Sequence, residues 1–175
     1  MNRDVAESAW PSVFPALSQR VHGHRLTYLD SAATTLRPQS VIDALVDYYS
    51  TDNANPSPVH TLASPAAQRL TDARAGVARF VNAHDPSEII FVRGTSEGVN
   101  LVASTWGTAN LRSGDEVILT VAEHNSNLMP WTHAARRAGA IVRMLDVDDE
   151  GRLRLDQLTT LLSSRTRLVA FSHVS

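Results

Sequence analysis

Residues 93–98, Arg-Gly-Thr-Ser-Glu-Gly, separate two apolar stretches, 89–92 and 99–103. A strand that enters such a turn and a helix that leaves it create an anion site. The first helical N–H groups lack intrahelical partners, and the aligned peptide dipoles place partial positive charge beside them. Phosphate is the commonest occupant of such a site. Gly94 allows a tight backbone, and the hydroxyls of Thr95 and Ser96 add donors. Thr95 or Ser96 serves equally well as an ordinary helix cap with no ligand. The turn is neither a Walker sequence, which needs a lysine, nor a GxGxxG fingerprint.

A second segment, "AEHNSNLMPW" at 122–131, carries His124. Its imidazole can lie flat on an aromatic ligand, donate a hydrogen bond, or simply sit on the surface. The seven histidines are scattered without metal-ligand spacing, so no metal site is expected. A phosphate-suited turn and a histidine loop on one edge point to a phosphorylated aromatic cofactor.

The chain's side chains also limit its chemistry. The 175 residues contain no cysteine, and all 16 basic residues are arginine. No disulfide, thiolate nucleophile or lysine Schiff base can come from them. A compositional bias of the source explains the all-arginine usage. Net charge is −2 with no basic stripe, which argues against nucleic acid. No apolar run approaches a membrane span, and the N-terminus lacks a secretory layout, so a cytoplasmic protein is expected.

The elements that position the two loops follow from hydrophobic periodicity. Residues 25–30 alternate like a short strand, 31–38 read as a loop, and 38–50 read as a helix with Pro38 in its first turn. Residues 51–60 are loop, and a helix spans about 65–81. Strands are then predicted at 88–92, 115–121, 140–147 and 166–174. Helices are predicted at about 96–106, 129–139 and 154–164, the second ending at a glycine. Such alternation implies an α/β fold with a mostly parallel sheet and helices on both faces. Ligands bind such sheets beyond the carboxyl ends of their strands. Both loops fall there. Residues 1–30 are expected to form an N-terminal arm and 31–175 the body of the domain.

The segments "YLDSAATTLRP", "HTLASPAAQRLTDARAGVARFVNA", "IIFVRGTSEGVNLVAS", "EHNSNLMPW" and "TRLVAFSHVS" occur in an order and spacing that resemble one family. It is the N-terminal portion of pyridoxal-phosphate-dependent cysteine desulfurases of the sulfur-mobilising type, within the class V aminotransferase group. The resemblance runs from about residue 8 to 175. It implies the large domain of a fold type I transferase, incomplete here, and a homodimer, or association with a missing second half. It implies a transferase that converts L-cysteine to L-alanine and passes the sulfur to an enzyme persulfide, feeding iron–sulfur cluster assembly.

By the same resemblance, Gly94, Thr95, Ser96 and Glu97 hold the phosphate of pyridoxal 5'-phosphate, and His124 stacks on its ring. Asn127 supports the loop after His124, while Ala32 and Ala33 lie near a small amino-acid substrate. The family's Schiff-base lysine, its aspartate on the ring nitrogen, its arginine for the substrate carboxylate and its sulfur-carrying cysteine all match positions beyond Ser175. The expectation is therefore an N-terminal half that is inactive alone. One departure is local: Pro56, Ser57 and Pro58 replace a usual His-Arg-Gly before His60 and resemble the Asn-Pro-Ser segment of the other desulfurase branch. It opens an alternative, a kynureninase-, epimerase- or aminotransferase-like member of the group. A further alternative is a non-catalytic fragment that acts by association.

Overall fold

The computed structural model describes residues 10–173, which divide into two compact units between Ile89 and Ile90. The first unit opens with a short helix, α1 (Trp10–Val13), and a 3-10 turn at Pro15–Ser18. Strands β1 (Arg20–Val21) and β2 (His24–Arg25) form an antiparallel hairpin. His22 and Gly23 turn it, both with positive φ, as the tightest hairpin turns require. Helices α2 (Gln39–Thr51) and α3 (Ala63–Phe80) follow. Arg69 of α3 ties them together, reaching Asp47 at 2.6 Å and Asp52 at 2.5 Å. The apolar face of α2 stays open: Val41, Ile42, Leu45 and Tyr49 are all exposed.

The second unit is the α/β body. Helix α4 (Thr95–Val102) runs into a π-helical turn (Ala103–Gly107) and then α5 (Thr108–Asn110). After these come β3 (Glu116–Thr120), α6 (Asn125–Ala138), β4 (Ile141–Leu145), α7 (Leu155–Leu161) and β5 (Thr166–Val169). The sheet order is β4-β3-β5, with both pairings parallel. The chain steps one way from β3 to β4 and back past β3 to β5. Right-handed crossovers therefore put α6 and α7 on opposite faces. Burial agrees, because every residue of β3 is buried. Val117 and Leu119 pack on one side with Ala103, Leu111, Trp131, Ala134 and Ala135. Ile118, on the other side, is fully buried as well.

Two glycines let these elements meet closely. A Cβ on Gly107 would lie 3.5 Å from both Ala134 and Trp131, so the π turn settles directly on α6. There Trp106 and Trp131 meet edge to face, with ring centroids 6.4 Å apart. Gly139 ends α6 in the left-handed conformation, with φ 72°, and a Cβ there would sit 3.1 Å from Ser113 Oγ. Gly139→Ala is expected to destabilise the chain by about 1–2 kcal/mol, read as a lower urea midpoint at unchanged slope.

Several predicted boundaries are corrected. Of the predicted 88–92 strand, Glu88 ends a 3-10 turn and residues 89–92 belong to neither sheet, with Ile90 66% exposed. An apolar run reports a tendency to be buried, whereas a strand also needs a ladder partner. Only Arg25 of the predicted 25–30 strand pairs, within the hairpin. The final strand stops at Val169, short of the predicted 174, and Val174 itself lies outside the described residues. The helix predicted at 129–139 starts at Asn125 and carries Pro130 in its interior. The helix predicted at 96–106 is broken into α4 and the π turn.

Candidate functional site

The turn at 93–98 keeps the helix start that its sequence implies, with one change. The cap position of α4 is Gly94, in extended backbone, and no side chain caps the helix. Thr95 and Ser96 are the first two helical residues rather than the cap. The first intrahelical bond runs from Gly98 N–H to the Gly94 carbonyl at 3.1 Å. The N–H groups of Thr95, Ser96 and Glu97 precede it and have no carbonyl four residues back within the helix. The Glu97 carboxylate turns backward and accepts the Arg93 N–H at 2.7 Å. A Cβ on Gly94 would meet nothing within 4 Å, so there is open space beside these donors. Both hydroxyl-bearing residues are exposed. An anion with several oxygens fits this set: three amides, two hydroxyls and the positive end of a dipole.

His124 caps α6. Its Nδ1 accepts the Ser126 N–H at 3.1 Å and lies 2.8 Å from the Ser126 hydroxyl. That contact places the proton of the neutral ring on Nε2 and leaves the ring exposed. Asn127, in the same first turn, donates its amide to Glu123 at 2.8 Å and accepts Trp131 Nε1–H at 3.1 Å. Gly98 of α4 and Asn127 of α6 line one open groove of about 320 Å³ with Val99, Trp131 and Phe171. The groove is thus bordered by the fourth residue of α4 and the third of α6, while Gly94, Thr95, Ser96, Glu97 and His124 are not among its lining residues. Ala32 and Ala33 occupy an exposed turn of the first unit.

Glu123 is the group that sequence reasoning passed over. Its Oε1 accepts from the Thr120 hydroxyl at 2.7 Å and from Ser172 N–H at 3.0 Å. Its Oε2 accepts from Asn127 at 2.8 Å and from the Ser172 hydroxyl at 3.0 Å. Burial pushes its pKa up, but the bonds from Asn127, Thr120 and Ser172 outweigh burial and hold it below the ordinary glutamate value. Asn127 and Trp131 stand four residues apart on one face of α6, and Glu123, just before the helix, continues the same spacing. That pattern was present in the sequence.

A family model for aminotransferase class-V matches residues 27–175. The chain belongs to the class-V aminotransferase family. A cysteine desulfurase of Cronobacter sakazakii is 46% identical over 165 residues, covering 94% of this chain and 41% of that protein. The apo structure of a cysteine desulfurase from Thermococcus onnurineus superposes with a TM-score of 0.79 at 36% identity, over 86% of this chain and 37% of that one. A third neighbour, a C-DES variant with glycine covalently linked to its PLP cofactor, has a TM-score of 0.73 at 25% identity, over 93% of this chain and 40% of that one. The class-V family is pyridoxal-phosphate-dependent, and the fold is that of fold type I. The chain spans between 26% and 41% of the length of the curated relatives it matches. No described helix is long and apolar enough to cross a membrane.

Proposed function

We propose that these 175 residues form the phosphate cradle and ring-stacking face of a pyridoxal-phosphate-dependent cysteine desulfurase. The observation that carries this reading is the uncapped start of α4, whose first turn reaches, at Gly98, the groove that Asn127 of α6 also lines. The cofactor fits the residues present: open space and unpaired amides suit its phosphate, and an exposed imidazole suits its ring. When bound, pyridoxal phosphate supplies an electron sink for charge that develops on an amino acid.

In this reading, the backbone of Gly94 to Glu97 and the hydroxyls of Thr95 and Ser96 hold the phosphate. The Glu97 carboxylate, drawn back onto Arg93, stays clear of it. His124 presents its ring face, with Nε2–H left as a donor. Ala32 and Ala33 border the amino-acid substrate. The amine and thiol that the chemistry needs come from outside these residues, which contain no lysine or cysteine. The reading includes a cytoplasmic homodimer, and the open apolar face of α2 supports the association. Identity to the cysteine desulfurases, 42 to 46%, favours this activity over the other class-V alternatives opened by Pro56, Ser57 and Pro58.

The test is equilibrium titration with pyridoxal phosphate, followed by absorbance. The wild-type chain is expected to bind it non-covalently. Ser96→Ala removes one charge-assisted donor and should weaken binding by about tenfold. A chain that ignores the cofactor, or an S96A variant that binds it equally well, would overturn the proposal.

A further inference from the structure

We infer that Glu123 is a positioning residue for His124, acting from the carboxyl-end crevice between β3 and β5 through its bonds to Thr120, Asn127 and Ser172. The inference rests on the proposed role of His124. Parallel sheets bind ligands where the strand order reverses, and here that point lies between β3 and β5. Glu123 lies three residues past the end of β3, and Ser172 three residues past the end of β5. The carboxylate bridges the crevice with two bonds to Ser172 and a third to the β3 residue Thr120. Its fourth bond enters the first turn of α6 through Asn127. All four lone-pair positions of an ionised carboxylate are used.

His124 sits between this anchor and the helix. Its carbonyl accepts from Asn127 N–H at 2.9 Å and Leu128 N–H at 3.0 Å, and its ring caps through Ser126. The backbone that carries the imidazole is therefore held on one side by Glu123 and on the other by the turn that Glu123 secures. The network has a fixed polarity. Trp131 Nε1–H only donates, so Asn127 must turn its oxygen toward Trp131 and its amide toward Glu123. A glutamine at position 123 fails in either orientation. Its amide would face Asn127 Nδ2 in one and Ser172 N–H in the other, donor against donor.

The polarity also supplies a rescue. In E123Q/N127D, the new amide can donate to the new carboxylate and to the Ser172 hydroxyl. Its oxygen still accepts from Thr120 and Ser172 N–H, and the substituted residue 127 still accepts from Trp131. The total charge is unchanged.

The experiment compares wild type, E123Q and E123Q/N127D, each as the full chain, by two readouts. The first is the long-range 15N–1H spectrum of the His124 ring, which reports its tautomer. Wild type and the double variant are expected to show the Nε2–H form, with Nδ1 as an acceptor. E123Q should show an averaged ring. The second is pyridoxal phosphate affinity, expected to fall about tenfold in E123Q and to return to within about threefold in the double variant. If E123Q does not fold but the double variant does, with the wild-type ring spectrum, the inference also holds. A wild-type ring in E123Q would overturn it. So would a double variant that fails to restore the ring, or two variants that both fail to fold. If wild type binds no cofactor, the proposed function fails, and the ring spectra still decide the role of Glu123.

Discussion

Ser96→Asp is expected to weaken pyridoxal phosphate binding by about 100-fold or more while leaving the fold at least as stable as wild type. The two effects have opposite signs for one reason. Ser96 is the second residue of α4, where the helix dipole and free amides favour negative charge. An aspartate there should stabilise the helix by about 0.3–1 kcal/mol. The same charge would then occupy the position proposed for a phosphate. Two unit charges 4 Å apart repel by about 4 kcal/mol at an effective dielectric of 20, and Ser96 is exposed, which reduces this. About half of that value already corresponds to a loss of more than tenfold, and a phosphate carries more than one charge. The check pairs a cofactor titration with a urea melt. Unchanged affinity with raised stability would show the helix start to be a plain terminus and not a cradle.

How much of this could be read from sequence depended on whether a feature is local. The anion-suited turn at 93–98 was legible because its physics lies within six residues. The glycine end of α6 was legible for the same reason, since Gly139 alone supplies the left-handed step. Strand β3 was found from its continuous apolar run, and the same signal at 89–92 misled. The difference is that β3 has β4 and β5 beside it, and pairing is not written in either segment alone. The start of α6 lies four residues before the predicted one, at Asn125, with Pro130 in the helix interior. His124 in fact caps the helix one turn earlier, through Ser126. The π turn escaped as well, since it exists to let Gly107 meet Ala134 and Trp131 across the core. Glu123 was legible only in part. Its link to Asn127 and Trp131 follows helical spacing, but its bonds to Ser172 depend on β5 lying next to β3.

The second large effect lies at the start of β3. Glu116 is fully buried. Its Oε2 accepts from Ser163 at 2.8 Å, and its Oε1 accepts from Arg143 at 3.0 Å and Arg165 at 2.7 Å. The two arginines come from β4 and from the residue before β5, so one carboxylate joins all three strands at their entry. The Ser163 bond and the Arg143 bond, helped by Arg165, overcome burial and hold its pKa at about 2, against an ordinary 4.5. A depressed carboxylate stabilises the fold fully above its unfolded pKa, and that contribution fades as pH falls toward the folded value. Glu116→Gln is close in shape but cannot ionise, so it resembles the protonated wild-type residue at every pH. Wild type is therefore expected to be more stable than E116Q by a constant amount above about pH 4.5. The gap should narrow from there to about pH 2 and close below it. Urea midpoints of the two chains across that range provide the measurement, and the difference between them cancels the other carboxylates. The half-exposed Arg143 and Arg165 side chains can rehydrate when their partner is lost, so the sheet should weaken at its entry rather than trap two bare charges. A gap that does not vary with pH would mean that Glu116 holds the strands by shape alone.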